Sequence, residues 1–270
     1  MDEVDKVDEV DEVDNTFELF DTHVHLTDDA FNKDLPAIIS RAIEANVSRI
    51  VTIGLDETSS RQCRDLAHQY KLWFTAGIHP CESAKVTPES IDAITSLASD
   101  ARCVAVGEIG LDYYWPDPPP PPQIRVFHKM LELAAMTGLP VVIHQRHSFD
   151  EVLKIVDGYE LKGKGIFHCF GGSVEHVREV ASRGFYVSFA GNVTYKKGRM
   201  EEAVRAVPME RLLIETDAPY LAPAPYRGKR NEPGYVKFTA IKIAEILQLT
   251  LEEIANITFK NALRVFRIEV

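Results

Sequence analysis

Asp21-Thr22-His23-Val24-His25, near the start of this 270-residue chain, is the stretch from which the fold can be read. Side chains alternate along an extended strand, so His23 and His25 point the same way and make half of a metal site. The apolar lead-in of Phe17, Leu19 and Phe20 fits a strand entering a core, and Leu26, Thr27 and Asp28 fit the loop after it. The two imidazoles therefore stand at a strand's C-terminal end, where a barrel of alternating strands and helices does its chemistry. An exposed histidine pair in a loop is the plain alternative. The further ligands offered by the rest of the chain decide between the two.

Downstream, apolar spacing alternates between strand and helix repeats. Helices are predicted over 34–46, with Pro36 in the first turn, over 58–70, capped by Thr58, and over 88–98. Strands are predicted at 49–53, 73–76 and 103–106, the last running into Gly107-Glu108-Ile109-Gly110-Leu111-Asp112-Tyr113-Tyr114. Pro116-Asp117-Pro118-Pro119-Pro120-Pro121-Pro122 reads as a stiff polyproline II connector of about five residues. A helix over 123–137 ends at Gly138, and strands at 140–144, 165–168, 186–190 and 212–214 alternate with helices at 149–156, 174–182 and 200–206. A long loop over 217–233 leads to closing helices over 235–247 and 251–266. Eight βα units in roughly 250 residues give an α/β fold, a (β/α)8 TIM barrel formed by 17–270 as one domain. A doubly wound open sheet would need a glycine-rich phosphate turn where this chain has histidines.

Composition is that of a globular protein, 45% hydrophobic and 26% charged. Residues 2–14 hold eight acids and one lysine, so most of the net charge of −11 lies in a D-x-V leader. Residues 1–16 have too little apolar content to repay ordering and are expected to be a disordered acidic leader. No apolar run is long enough for a membrane span, and no secretion signal is read at the N-terminus. Cys63, Cys81, Cys103 and Cys169 are widely separated and form no metal or disulfide pattern. A cytoplasmic protein with no membrane association and no evident obligate protein partner is expected.

Chemistry-bearing side chains recur at predicted strand ends: His23 and His25 after the first, His79 after the third, Glu108 after the fourth, His144 after the fifth, His168 after the sixth and Asp217 after the eighth. A lone histidine or carboxylate is more often a satisfied core or loop residue. So many at one rim are hard to explain that way, because buried carboxylates lose several kcal/mol of hydration each (order of magnitude) unless a cation compensates.

The segments Asp21-Thr22-His23-Val24-His25-Leu26, Gly77-Ile78-His79-Pro80, Val106-Gly107-Glu108-Ile109-Gly110-Leu111-Asp112-Tyr113, Val142-Ile143-His144-Gln145-Arg146, Phe167-His168-Cys169-Phe170-Gly171-Gly172 and Leu213-Ile214-Glu215-Thr216-Asp217-Ala218-Pro219-Tyr220-Leu221 together resemble the TatD family of metal-dependent deoxyribonucleases, as does Arg227-Gly228-Lys229-Arg230-Asn231-Glu232-Pro233. The resemblance runs from about residue 17 to the C-terminus. It implies an amidohydrolase-like barrel with two divalent metal ions, one held by His23, His25, Glu108 and Asp217, the other by Glu108, His144 and His168, with Glu108 bridging. The mixed imidazole and carboxylate set suits Zn²⁺, Mn²⁺ or a non-haem iron, and Mg²⁺ when more of the shell is water.

The implied activity is phosphodiester hydrolysis of single-stranded DNA or another nucleic acid from the 3′ end by a metal-activated water, with Asp217 moving the proton or serving as a plain ligand. His79 is expected beside the scissile phosphate as a donor, or in a structural role. Arg146 is free to orient Asp217, Glu108 or a phosphate. Two basic loops are expected at the active rim, Lys196, Lys197 and Arg199 after the seventh strand and Arg227, Lys229 and Arg230 after the eighth; the second is assigned to substrate. Tyr113, Tyr114, Phe170 and Tyr220 flank ligand motifs and offer rings to bases, although each alone fits packing as well. The chain departs from the family in having His147 where an acidic residue usually follows Arg146, and in its proline run. A hydrolase of small esters, amides or aminoacyl groups is the alternative within enzymes. A non-catalytic interaction protein, using the leader and the proline run, is the alternative outside them.

Overall fold

The fold is a computed structural model that describes residues 17–161, 164–195 and 199–269. The acidic leader, Lys196 and Lys197 lie outside these described residues, and with them the expectations made there. Eight strands alternate with helices: β1 (Leu19–Val24), α1 (Leu35–Glu44), β2 (Val47–Ile53), α2 (Glu57–Tyr70), β3 (Trp73–Ala76), α3 (Pro88–Leu97), β4 (Cys103–Asp112), α4 (Pro120–Thr137), β5 (Val141–Arg146), α5 (Phe149–Val156), β6 (Gly165–Phe167), α6 (Val174–Ser182), β7 (Tyr186–Phe189), α7 (Arg199–Ala206) and β8 (Leu212–Ile214), then α8 (Val236–Leu247) and α9 (Leu251–Phe266). Neighbouring strands pair in parallel in chain order, as in the expected (β/α)8 barrel. Closure falls beyond the end of β8. The Asp217 N–H donates to His23 C=O at 2.9 Å and the His25 N–H to Ala218 C=O at 2.8 Å, so the seam of the barrel is made by the candidate ligands His23, His25 and Asp217 and their neighbour Ala218.

Apolar residues fill two layers. Phe20, Val51, Val104, Val142, Ile166 and Leu213, from six different strands, pack inside the barrel, and Phe259 and Phe266 of α9 pack at a tilt against Phe20 with ring centroids 5.9 Å away. The larger cluster lies between the strands and the surrounding helices. One end of the barrel is thus closed by hydrocarbon, leaving the other for polar groups.

Three local readings change. β4 does not stop at Val106 but runs ten residues to Asp112, placing Glu108 within a strand rather than after it. Gly107 and Gly110 within it are close-approach positions. Gly110 has φ +140°, and a Cβ there would lie 2.0 Å from the His144 carbonyl oxygen, where β4 and β5 pair. The helix α2 is capped by Asp56, which forms a reciprocal capping box with Ser59, rather than by Thr58. The proline run is only partly a connector. Pro120, Pro121 and Pro122 form the first turn of α4, where backbone N–H groups have no intrahelical acceptor and proline forfeits no bond.

Candidate metal centre

β1 slips register against β2 between Asp21 and Val24, and His23 and His25 bring their Nε2 atoms within 3.3 Å of each other. Asp217 Oδ1 lies 3.2 Å from His25 Nε2 and 3.6 Å from His23 Nε2. Glu108 Oε2 lies 3.3 Å from His23 Nε2 and 3.8 Å from His25 Nε2. Ligand atoms on a tetrahedral ion with bonds near 2.1 Å stand about 3.4 Å apart, close to the spacings among His23, His25 and Asp217, so these three fit a cation that Glu108 Oε2 approaches from the side of His23.

The other oxygen of Glu108 serves a second group. Oε1 lies 2.8 Å from His144 Nδ1, 2.8 Å from His168 Nε2 and 3.6 Å from His79 Nε2. His144 Nδ1 and His168 Nε2 are 3.3 Å apart. Imidazole lone pairs and a carboxylate that converge in this way repel unless a cation or protons lie among them. Protons supply the charge when no cation does. Burial opposes it, but Glu108 and Glu215 hold the His168 imidazole well above its ordinary value. Burial likewise works to raise Glu108, which is 2% exposed, yet His168, His79 and His144 hold it well below the usual carboxylate range.

A ring of buried acids orients the histidines, and sequence reasoning assigned these acids no role. Asp112 Oδ2 lies 2.9 Å from His144 Nε2, which leaves Nδ1 to face Glu108. Glu215 Oε1 lies 3.3 Å from His168 Nδ1 and accepts the Cys169 N–H at 2.7 Å. Asp21 accepts the N–H and the hydroxyl of Thr216 at 2.9 and 2.6 Å, tying β1 to the segment that carries Asp217; burial pushes its carboxyl up to about 8, against the lowering by those bonds. Strand periodicity was the available signal: 108 and 112, 215 and 217, and 21, 23 and 25 share faces.

The remaining site residues divide by position. His79 Nδ1 accepts the Cys81 N–H at 3.1 Å, so the ring carries its proton on Nε2, towards Glu108. Burial is the main force that pushes its pKa down, to about 3. Asp217 directs Oδ1 at the histidines, while Oδ2 has no hydrogen-bond partner among the described residues. A cleft of about 490 Å³ opens over the centre, lined by His144, Arg146, His147, His168, Asp217 and Tyr220 among others.

Arg146 makes no ion pair among the described residues and lies with its guanidinium carbon 3.6 Å from the Tyr114 ring centroid. Tyr113 is half-buried against the core, its hydroxyl donating to Glu151 at 2.7 Å. Of the basic loop, Arg230 is clamped on both oxygens of Asp34 at 2.8 and 2.7 Å, while Arg227 and Lys229 lie over the rings of Tyr195 and Tyr226. These three are not among the residues that line the cleft.

A family model described as TatD related DNase matches residues 20–267. The uncharacterized metal-dependent hydrolase YabD of Bacillus subtilis is 44% identical over 93% of this chain and 99% of its own. The 3′-5′ ssDNA/RNA exonuclease TatD of Salmonella typhimurium is 36% identical over 93% and 99%. Among solved structures, the TatD homologue YjjV of Escherichia coli superposes with a TM-score of 0.89 at 27% identity, over 93% of this chain and 98% of that one.

Proposed function

The chain belongs to the TatD related DNase family of metal-dependent hydrolases, and from that premise we propose that it is a nuclease hydrolysing phosphodiesters of single-stranded nucleic acid from the 3′ end. The observation that carries the reading is the division of Glu108, with one oxygen on His23 and His25 and the other on His144 and His168. His23, His25, Glu108 and Asp217 would hold one divalent ion and Glu108, His144 and His168 a second, with Mg²⁺, Mn²⁺ and Zn²⁺ as the candidates. Bound there, such ions supply Lewis acidity that lowers the pKa of water and neutralises phosphate charge.

The chain's own groups complete the site. Asp217 Oδ2 accepts the proton of the attacking water and returns it to the leaving oxygen. The neutral His79 keeps its Nε2–H at all working pH values and donates it to a phosphate oxygen. Arg146, with its donors uncommitted beside the cleft, holds a second phosphate oxygen. Such a nuclease resembles the exonuclease named among the relatives, and the four free cysteines suit a reducing cytoplasm.

A hydrolase of small esters, amides or aminoacyl groups is the second reading. It is favoured by the commitment of Arg230 to Asp34 rather than to the cleft. End-labelled single-stranded DNA, incubated with metal-stripped protein and with Mg²⁺, Mn²⁺ or Zn²⁺ restored singly, separates the two. A metal-dependent 3′ ladder lost in Asp217→Asn supports the nuclease. Metal binding without any strand cleavage leaves the small-substrate hydrolase.

A further inference from the structure

Beside the cleft, the loop between β4 and α4 carries two large aromatic side chains in the open. Tyr114 is 47% and Trp115 52% exposed, and their rings meet edge to face with centroids 4.8 Å apart. Exposure of this size at neighbouring aromatics contributes little to the core. The loop is nevertheless held firmly. Gln123, 1% exposed, accepts the Asp112 N–H at 2.8 Å and donates to the carbonyls of Asp112 at 2.9 Å and Pro118 at 2.7 Å, pinning both ends of the segment. Asp112 adds a bond from the Tyr114 N–H at 2.9 Å, so the carboxylate that orients His144 also sets the start of the aromatic pair.

One ring face is already in use. The Arg146 guanidinium carbon lies 3.6 Å from the Tyr114 centroid and 5.9 Å from that of Trp115. Arg146 stands two residues after His144 on β5, and both line the cleft that exposes Asp217. His147, another lining residue, approaches Tyr114 edge-on at 5.6 Å. The candidate metal centre, a cation with free donors and, beyond that cation, an indole with free ring surface therefore follow one another outward from the cleft. That order matches the scissile bond, an adjoining phosphate and a base of a single strand.

We infer that Trp115, backed by Tyr114 and Arg146, is a base-stacking subsite that holds one nucleobase of the strand while Arg146 contacts an adjoining phosphate. The inference rests on the nuclease reading and adds to it a subsite and an order along the strand. Stacking is indifferent to base identity because every base offers a π face, so the subsite grips the strand without selecting sequence.

The test is a cycle between protein and substrate. Metal-restored wild type, Trp115→Ala and Trp115→Phe are each given an intact oligothymidylate and a set of strands with one abasic residue at successive positions from the 3′ end. The expected result is one position at which the abasic residue slows wild type about tenfold, the usual size of a base stack, with Trp115→Ala slowed as much on the intact strand and no further by that abasic residue. Trp115→Phe recovers most of the loss. If Trp115→Ala cleaves the intact strand like wild type, or retains the full abasic penalty at every position, the subsite is disproved while the nuclease stands. A wild type that hydrolyses a small phosphodiester but no strand disproves both, and its own inactivity on the intact strand distinguishes that case.

Discussion

His144 Nε2 lies 2.9 Å from Asp112 Oδ2, and this contact turns the other ring nitrogen, Nδ1, onto Glu108. A carboxylate behind a ligating histidine fixes its tautomer and raises its basicity. Asp112→Asn keeps an oxygen for the Tyr114 N–H but removes the charge behind His144. Metal affinity, measured by equilibrium dialysis, is expected to fall about 10- to 100-fold with the melting temperature of the metal-free protein little changed. Unchanged affinity would mean that His144 does not need this partner to face the centre.

Glu108 is shared by both halves of the centre, so its loss is expected to be felt in both. Glu108→Gln keeps the shape and leaves one oxygen, enough for His23 and His25 or for His144 and His168, but not for both at full strength. Metal content per chain should fall, together with a loss of activity of about a hundredfold or more. By contrast, replacing Asp217 should abolish turnover while leaving part of the metal bound. If Glu108→Gln retained full metal content, the bridging arrangement would be refuted.

Arg146 and Arg230 are expected to separate phosphate binding from scaffolding. Arg230 spans Asp34, the N-cap of α1, which also lies 3.5 Å from Arg41, and Arg41 in turn pairs with Glu232 at 2.7 Å. This chain of charges ties the loop after β8 to the first helix, and solvent screening leaves exposed pairs of this kind little net stabilisation. Arg230→Ala is therefore expected to lower the melting temperature slightly and leave KM for an oligonucleotide unchanged. Arg146→Ala should raise KM and reduce the slope of log affinity against log salt by about one phosphate contact. A reversed pattern in the two variants would return the phosphate to the basic loop.

The barrel was legible because its signals are local. Strand 73–76 and helix 251–266 lie where apolar spacing places them, and each candidate ligand is an unusual residue beside an apolar strand. What escaped was relational. Nothing in Gly107-Glu108-Ile109-Gly110 tells a stop from a close approach, since that depends on how near the His144 backbone passes on β5. The prolines at 120–122 looked like a connector because the missing N–H matters only where a helix has an acceptor for it. Asp112 and Glu215 could be read as buried acids, but not as partners of His144 and His168, because those pairs form across strands. Arg230 bore the right charge, and its partner Asp34 lies 196 residues away in sequence.

Protons and a cation compete for the same nitrogens, which gives a pH dependence with a definite sign. In the metal-free protein His168 is held well above its ordinary 6.5 by Glu108 and Glu215, against burial. The stability it contributes is complete below pH 6.5 and is lost as pH rises through the elevated value. Glu108 is held well below its ordinary 4.5, so its contribution is complete above that value and is lost only as pH falls through the depressed one. Metal-free protein therefore weakens towards alkaline pH, while metal binding, which needs those imidazoles deprotonated, strengthens. The gain in melting temperature on adding Zn²⁺ or Mn²⁺ to stripped protein should be larger at about pH 8.5 than at about pH 6. A gain that is equal at the two values, or smaller at the higher, would show that the cation does not take the place of protons among His144, His168 and Glu108.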